Sequence, residues 1–370
     1  MSQNPSDQRS LKDGPYKRIL IIRLSAVGDV VRTLPSLVIL RNSFPSARIA
    51  WLVEEKSSDI LFGQPELSEV IVFPRTAWAR DLARGRWWSL GMETFGFLKR
   101  LRRERFDLVV DFHGILKSGL LSMASGAAVR VGFDKGFCKE RSYLFSNWRV
   151  SLPNTRISRF ERNLSLLQGV GLDTKMGEFN LYISPEDQGY ATNFLRGHGL
   201  LAQYPVIALH PGTSEKTRYK RWFPERYARL ADGLVRELGA SILVTWGPGE
   251  RETAERVRSL MTSSCVISCP TGSLKQLAGI YQHCHLYIGG DTGPMHIASL
   301  MGVPVIGIYG PTDPVVNAPY DRTLAVLVRK NLSCSPCRDR NCQKLECLKA
   351  ISHEDVLKVA RNLLLEGKQA

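Results

Sequence analysis

Short apolar runs alternate along the chain with stretches of helical periodicity. Runs at 18–24, 48–53, 70–73 and 108–111 read as strands, and a second series follows at 206–209, 241–245, 265–267, 286–288 and 305–308. Strands that alternate with helices predict parallel sheets covered by helices on both faces, an α/β architecture. The pattern breaks at Lys175 to Glu178 and at Ser184-Pro185. The expected layout is therefore a disordered tail over 1–16, Rossmann-like domains over 17–180 and 181–348, and a C-terminal helix within 349–370. That helix starts at Ser352, whose hydroxyl caps it together with Asp355, and runs to about Glu366.

A chain of 370 residues, 44% of them hydrophobic, is long enough for two cores. No run approaches the roughly 20 apolar residues of a membrane span, and the polar start MSQNPSDQRSLKDG has no signal-peptide core, so a cytoplasmic protein is expected. The net charge of +15 is uneven: residues 1–180 hold 28 Lys+Arg against 18 Asp+Glu, and residues 181–370 hold 22 against 17. An anionic partner is thus expected at the N-terminal half. Composition alone leaves nucleic acid, an anionic membrane face and a phosphorylated substrate open.

Between Arg75 and Arg105, nine basic residues stand against three acidic ones, interleaved with Trp78, Trp87 and Trp88. Such a stretch suits anionic lipid headgroups, single-stranded nucleic acid or a solvated helix face. Cys334, Cys337, Cys342 and Cys347 form a C-x2-C-x4-C-x4-C cluster. In a cytosolic chain this points to thiols or a metal rather than disulfides, although the spacing is irregular for structural zinc.

The most informative stretch, Gly289 to His296, reads as a strand, a tight turn and a helix that begins next to Thr292 and Gly293, with Pro294 in its first turn. A helix start with unpaired N–H groups, beside a glycine that allows close approach, favours a phosphate. Asp291 either binds there or caps the helix. After the first strand, Pro35 places the helix start near Thr33 and leaves Asp29 in the preceding turn, at the carboxyl end of the sheet. There it acts as a general base or caps the turn. This segment lacks G-x-G-x-x-G, which weighs against a dinucleotide dehydrogenase. Thr213, Ser214, Lys216 and Lys220 follow another strand, where hydroxyls and a lysine suit a leaving diphosphate, with Lys220 preferred. Glu250, in Trp246-Gly-Pro-Gly-Glu250, either reaches sugar hydroxyls or starts a helix.

Five motifs in this order resemble glycosyltransferase family 9, the ADP-heptose:lipopolysaccharide heptosyltransferases: Ser25-Ala-Val-Gly-Asp-Val30, Asp111-Phe-His-Gly-Ile-Leu-Lys-Ser118, Lys220-Arg-Trp222, Gly247-Pro-Gly-Glu250, and Asp291-Thr-Gly-Pro-Met-His296 with Tyr309-Gly-Pro-Thr-Asp-Pro314. The resemblance implies a GT-B fold of two facing Rossmann-like domains. It implies inverting transfer of heptose from ADP-heptose to the phosphorylated Kdo-lipid A inner core, by a monomer at the inner face of the inner membrane, with no nucleic acid and no metal or other cofactor. Asp29 corresponds to the base and Lys220 to the lysine at the diphosphate. Thr213, Ser214, Glu250, Gly272, Asp291, Thr292, Gly293 and His296 fall on donor positions, with 270–274 as part of the adenine pocket. Arg75, Arg80, Arg84, His113 and Lys117 fall on the acceptor side. The segments 51–55 and 111–118 look more like members that add the first heptose to Kdo; a second-heptose transferase, or another acceptor or nucleotide sugar, is the alternative.

Overall fold

Burial on both faces accounts for the unbroken apolar runs. The computed structural model describes residues 10–175, 179, 181–268, 271–320, 323–337 and 339–366. It divides into two compact units, Met1–Tyr182 and Ile183–Ala370.

The first unit contains β1 (Arg18–Ile22), α1 (Val27–Val31), α2 (Leu34–Ser43), β2 (Arg48–Glu54), β3 (Glu69–Phe73), α3 (Arg75–Ala83), α4 (Trp87–Arg103), β4 (Leu108–Asp111), α5 (Leu116–Ala124), β5 (Val129–Phe133), β6 (Trp148–Val150) and α6 (Arg159–Gln168). Its strands pair in parallel in the order β3-β2-β1-β4-β5-β6. The second unit contains α7 (Pro185–Gly197), β7 (Val206–His210), α8 (Pro224–Leu238), β8 (Ser241–Val244), α9 (Arg251–Leu260), β9 (Val266–Ile267), α10 (Leu274–Gln282), β10 (Leu286–Gly290), α11 (Gly293–Leu300), β11 (Val305–Ile308), β12 (Ala325–Val328), α12 (Glu346–Lys349) and α13 (His353–Glu366). Its parallel order is β12-β11-β10-β7-β8-β9.

Each sheet is wound outward from its first strand in both directions. The winding reverses between β1 and β4 in one unit and between β7 and β10 in the other. At such a switch point the loops leaving two neighbouring strands diverge and open a crevice at the carboxyl edge.

Leu20, Ile22, Leu52 and Val109 anchor the first core, closed by Leu101 of α4. Ile288, Leu230, Leu234 and Trp222 anchor the second, and α13 packs Val356, Leu357 and Ala360 into it. Ser352 caps α13 as expected: Asp355 N donates to Ser352 Oγ at 3.1 Å and Ser352 N donates to Asp355 Oδ2 at 2.9 Å.

Three expectations change. Residues 10–16 of the tail expected over 1–16 are ordered: Leu11–Asp13 form a 3-10 turn with Leu11 buried, and Leu11 N donates to Val170 O at 2.9 Å. Asp29 lies inside the short helix α1 rather than in an irregular turn, while Pro35 sits in the first turn of α2. Strands β5, β6 and β12 complete the sheets beyond the runs read from hydropathy.

Candidate active site

In the second unit, the loops after β10, β7 and β8 leave neighbouring strands side by side. The β7 loop ends in a 3-10 stretch, Glu215–Lys220. Its exit is fixed by the next two residues: Arg221 donates to Thr213 O at 2.6 Å, and buried Trp222 donates its indole N–H to Ile351 O at 3.2 Å. Lys220 is thereby aimed across the switch point, where its Nζ meets Asp291 Oδ2 at 2.8 Å. His296 Nε2 stands 3.5 Å from the other oxygen of that carboxylate.

Asp291 is thus turned to a lysine, not spent as a helix cap. Thr292 occupies the N-cap of α11, and no side chain closes the first turn, which holds Pro294. The positive end of the helix and the Lys220 ammonium therefore share one short stretch of surface. Thr213 is buried with its hydroxyl donating to Thr217 O at 3.3 Å, whereas Ser214 is exposed and bonded to the Thr217 hydroxyl at 2.8 Å. Lys216 is exposed.

Glu250 folds back over its own loop. Its Oε2 accepts Gly247 N–H at 2.9 Å and lies 3.2 Å from His210 Nε2. His210 Nδ1 is 3.0 Å from the Thr245 hydroxyl, which is 2.9 Å from Tyr281 OH, forming a buried relay behind the carboxylate. Burial alone would raise the Glu250 pKa, but His210, the Gly247 amide and Arg221 outweigh it and hold the group below its usual value. A Cβ at Gly212 would stand 2.2 Å from Glu250 Oε2, so this approach requires glycine. Gly272 lies in the exposed turn before α10, its N–H donating to Gln276 Oε1 at 2.7 Å. Pro270 of the expected adenine pocket lies outside the described residues.

In the first unit, the switch point gathers Asp29, Arg23 and His113. Arg23 Nη2 meets Asp29 Oδ2 at 2.8 Å; Arg32 and Arg159 approach Oδ1 at 3.0 and 3.5 Å. Burial by itself would raise the Asp29 pKa, yet Arg23, Arg159 and Arg32 together bring it far below the carboxylate range. Asp111 ties the β4 exit, accepting the N–H groups of His113 and Gly114 at 2.9 and 3.1 Å and the Ser118 hydroxyl at 2.7 Å.

His113 Nδ1 accepts Leu24 N–H at 3.1 Å, which leaves the ring proton on Nε2. Burial, then Arg23, push the His113 pKa down to about 3. Between that value and 6.5 the unfolded chain takes up a proton that the native ring refuses, so stability climbs with pH through this window. Urea unfolding should lose up to ~1.4 kcal/mol per pH unit more below that window's upper edge in the wild type than in His113→Ala. Equal pH slopes would show a ring already charged in the native state.

Of the other acceptor-side residues, Arg75 Nη1 meets Glu54 Oε2 at 2.8 Å and Lys117 bonds the second oxygen of the same buried carboxylate. Arg80 and Arg84 lie exposed on or just past α3 and join no ion pair among the described residues.

The family model for glycosyltransferase family 9 (heptosyltransferase) matches residues 94–348, more than half of the chain. The chain belongs to glycosyltransferase family 9. This family 9 protein is 28% identical over 333 residues to lipopolysaccharide heptosyltransferase 1 of Pseudomonas aeruginosa, covering 88% of this chain and 87% of the relative. It is 29% identical over 316 residues to the Escherichia coli K12 protein of the same name, covering 84% and 92%. The family 9 glycosyl transferase structure from Veillonella parvula superposes with a TM-score of 0.76 at 26% identity, over 95% of this chain and 98% of that one. Escherichia coli heptosyltransferase WaaC with ADP shares the fold, with a TM-score of 0.72 at 23% identity over 94% and 99%. The two Rossmann-like units are those of the GT-B fold.

Several residues of this family 9 site were missed by sequence reasoning. Arg23 and Arg32 flank Asp29 closely enough for the motif itself to carry the signal. Arg159 comes from α6, and no local pattern points to it. Glu54 stood inside the 51–55 segment read for another reason, and His210 ends the strand just before Thr213. The four tail cysteines line one cavity with Pro311 and Glu346. Among the described residues, no three or more His, Cys, Asp or Glu side chains are grouped to hold a metal ion.

Proposed function

We propose that this chain transfers L-glycero-D-manno-heptose from ADP-heptose to the phosphorylated Kdo-lipid A inner core during lipopolysaccharide assembly, with inversion at the anomeric carbon. The observation that carries this reading is the Lys220 ammonium against Asp291 beside the uncapped start of α11. A cation and oriented amide dipoles meet where a diphosphate leaving group gains charge. The names of its relatives, lipopolysaccharide heptosyltransferase 1 from Pseudomonas aeruginosa and Escherichia coli, agree with that chemistry.

In this reading the second unit binds the donor. Thr213, Ser214, Thr292, Gly293 and His296 surround the diphosphate, Glu250 accepts ribose hydroxyls, Gly272 borders the base, and Asp291 binds the heptose. The first unit binds the acceptor through Arg75, Arg80, Arg84, His113 and Lys117. Asp29 takes the proton of the attacking hydroxyl as the new glycosidic bond forms and the bond to the diphosphate breaks. Negative charge then grows on ADP, and Lys220 with the α11 amides receives it. That role is the one a divalent cation fills in other transferases, so turnover proceeds without one. The protein works as a monomer in the cytoplasm, at the inner face of the inner membrane where the lipid-linked acceptor resides.

Thermal shift with ADP and ADP-heptose, against UDP- and GDP-sugars, tests the donor. Stabilisation by the adenine nucleotides alone is expected, and no shift with either of them overturns the assignment. Transfer to Kdo-lipid A should be unchanged by EDTA; a loss restored by added Mg²⁺ would remove Lys220 as the principal counter-charge.

A further inference from the structure

Helix α4 has two apolar faces, and the fold uses one. Phe97, Leu98 and Leu101 point inward; Leu101 is buried, and Phe97 and Leu98 pack against the first core. Trp88, Met92 and Phe95, spaced i, i+4 and i+7, lie on the opposite side and are 83%, 63% and 68% exposed, with Trp87 beside them at 67%. Clustered aromatic and methionine side chains left in water mark a docking face. The neighbouring helix α5 repeats the device, exposing Leu116, Leu120 and Met123 at the same spacing.

The charge around this face selects its partner. From Arg75 to Arg105 there are nine basic residues and three acidic ones, and Arg84, Lys99 and Arg103 are exposed. Lys99 Nζ lies over the Phe95 ring, 6.0 Å from its centroid, so positive charge and apolar surface meet on this face. Two copies of the chain meeting through this surface would bring like charges together, whereas an anionic bilayer offers both a counter-charge and an apolar layer beneath it. No helix among the described residues is long and apolar enough to cross a membrane, so the contact is one of lying on the surface. Lys117, tied with Arg75 to Glu54, sits on α5 between exposed Leu116 and Leu120.

We propose that the outward face of α4, Trp88, Met92 and Phe95 with its flanking basic residues, inserts at headgroup depth into an anionic lipid bilayer, and that the exposed stripe of α5 adds to it. This names the membrane contact of the transferase proposed above, but its test does not need turnover.

The full chain should co-sediment with phosphatidylcholine vesicles containing phosphatidylglycerol and weakly with phosphatidylcholine alone. The double variant Trp88→Glu/Phe95→Glu should partition at least about tenfold less. Its thermal midpoint should be unchanged, because both side chains are exposed. High salt should weaken wild-type binding without matching the loss in the variant. Equal sedimentation of variant and wild type, or no wild-type binding, overturns the proposal. So does a wild-type dimer that the variant converts to monomer, since the face would then be a contact between copies. Transfer to a water-soluble, deacylated acceptor should be equal in both proteins. Failure of the wild type in that assay would count against the heptosyl-transfer reading and leave the vesicle result standing.

Discussion

Replacing Lys220 with alanine is expected to lower kcat by about 10²- to 10³-fold, the usual cost of removing one preorganised group from a developing negative charge. The donor KM should change less, because the α11 amides still receive the ground-state diphosphate. Stability should fall as well. Asp291 loses its 2.8 Å ammonium partner while His296 stays 3.5 Å from its other oxygen, and removing one partner of a buried pair costs about 3–5 kcal/mol. The lower end applies here, since 17% of the lysine side chain is exposed. Urea unfolding of Lys220→Ala and of Lys220→Ala/Asp291→Asn separates the two effects. The second substitution removes the carboxylate charge that Lys220 offset and should recover part of the stability but not turnover. Near-wild-type kcat in Lys220→Ala would assign the leaving-group charge elsewhere.

The depth to which this site was legible in sequence follows how local its parts are. The start of α11 was readable because strand, glycine, proline and helix lie within a dozen residues, and each obeys a backbone rule that needs no tertiary partner. Strands such as β1 and β10 were readable because burial on both faces makes them continuously apolar. Strand β5, with Arg130 and Gly132, and the short edge strand β6 are broken by polar or small residues, so hydropathy passes over them. The Lys220–Asp291 contact joins loops 71 residues apart, and only the parallel pairing of β7 with β10 makes them neighbours. The motifs named both residues; the sheet order explains why they touch. Arg159 shows the limit, since an arginine on a helix of mixed polarity looks like any solvated residue until α6 brings it to Asp29.

Asp29→Asn should reduce transfer by about 10³-fold or more while donor affinity stays within about twofold, because the substitution removes a base and keeps its shape. The environment of Asp29 makes this test sharper. Three arginines hold the carboxylate ionised far below its ordinary pKa, which guarantees the unprotonated form but leaves it a weak base. An acceptor anion that engaged Arg159 would relax that hold and return basicity to the carboxylate. The same arrangement fixes the sign of the pH dependence. With the native pKa depressed, the contribution of Asp29 to stability is complete above the unfolded value of about 3.9 and is lost as pH falls below it. The wild-type advantage over Asp29→Asn should therefore be flat from neutral pH down to about pH 5 and shrink below about pH 4. A gap that closes between pH 5 and 7 would mean the arginines do not hold the carboxylate as this geometry requires, and retained turnover in Asp29→Asn would remove it as the base.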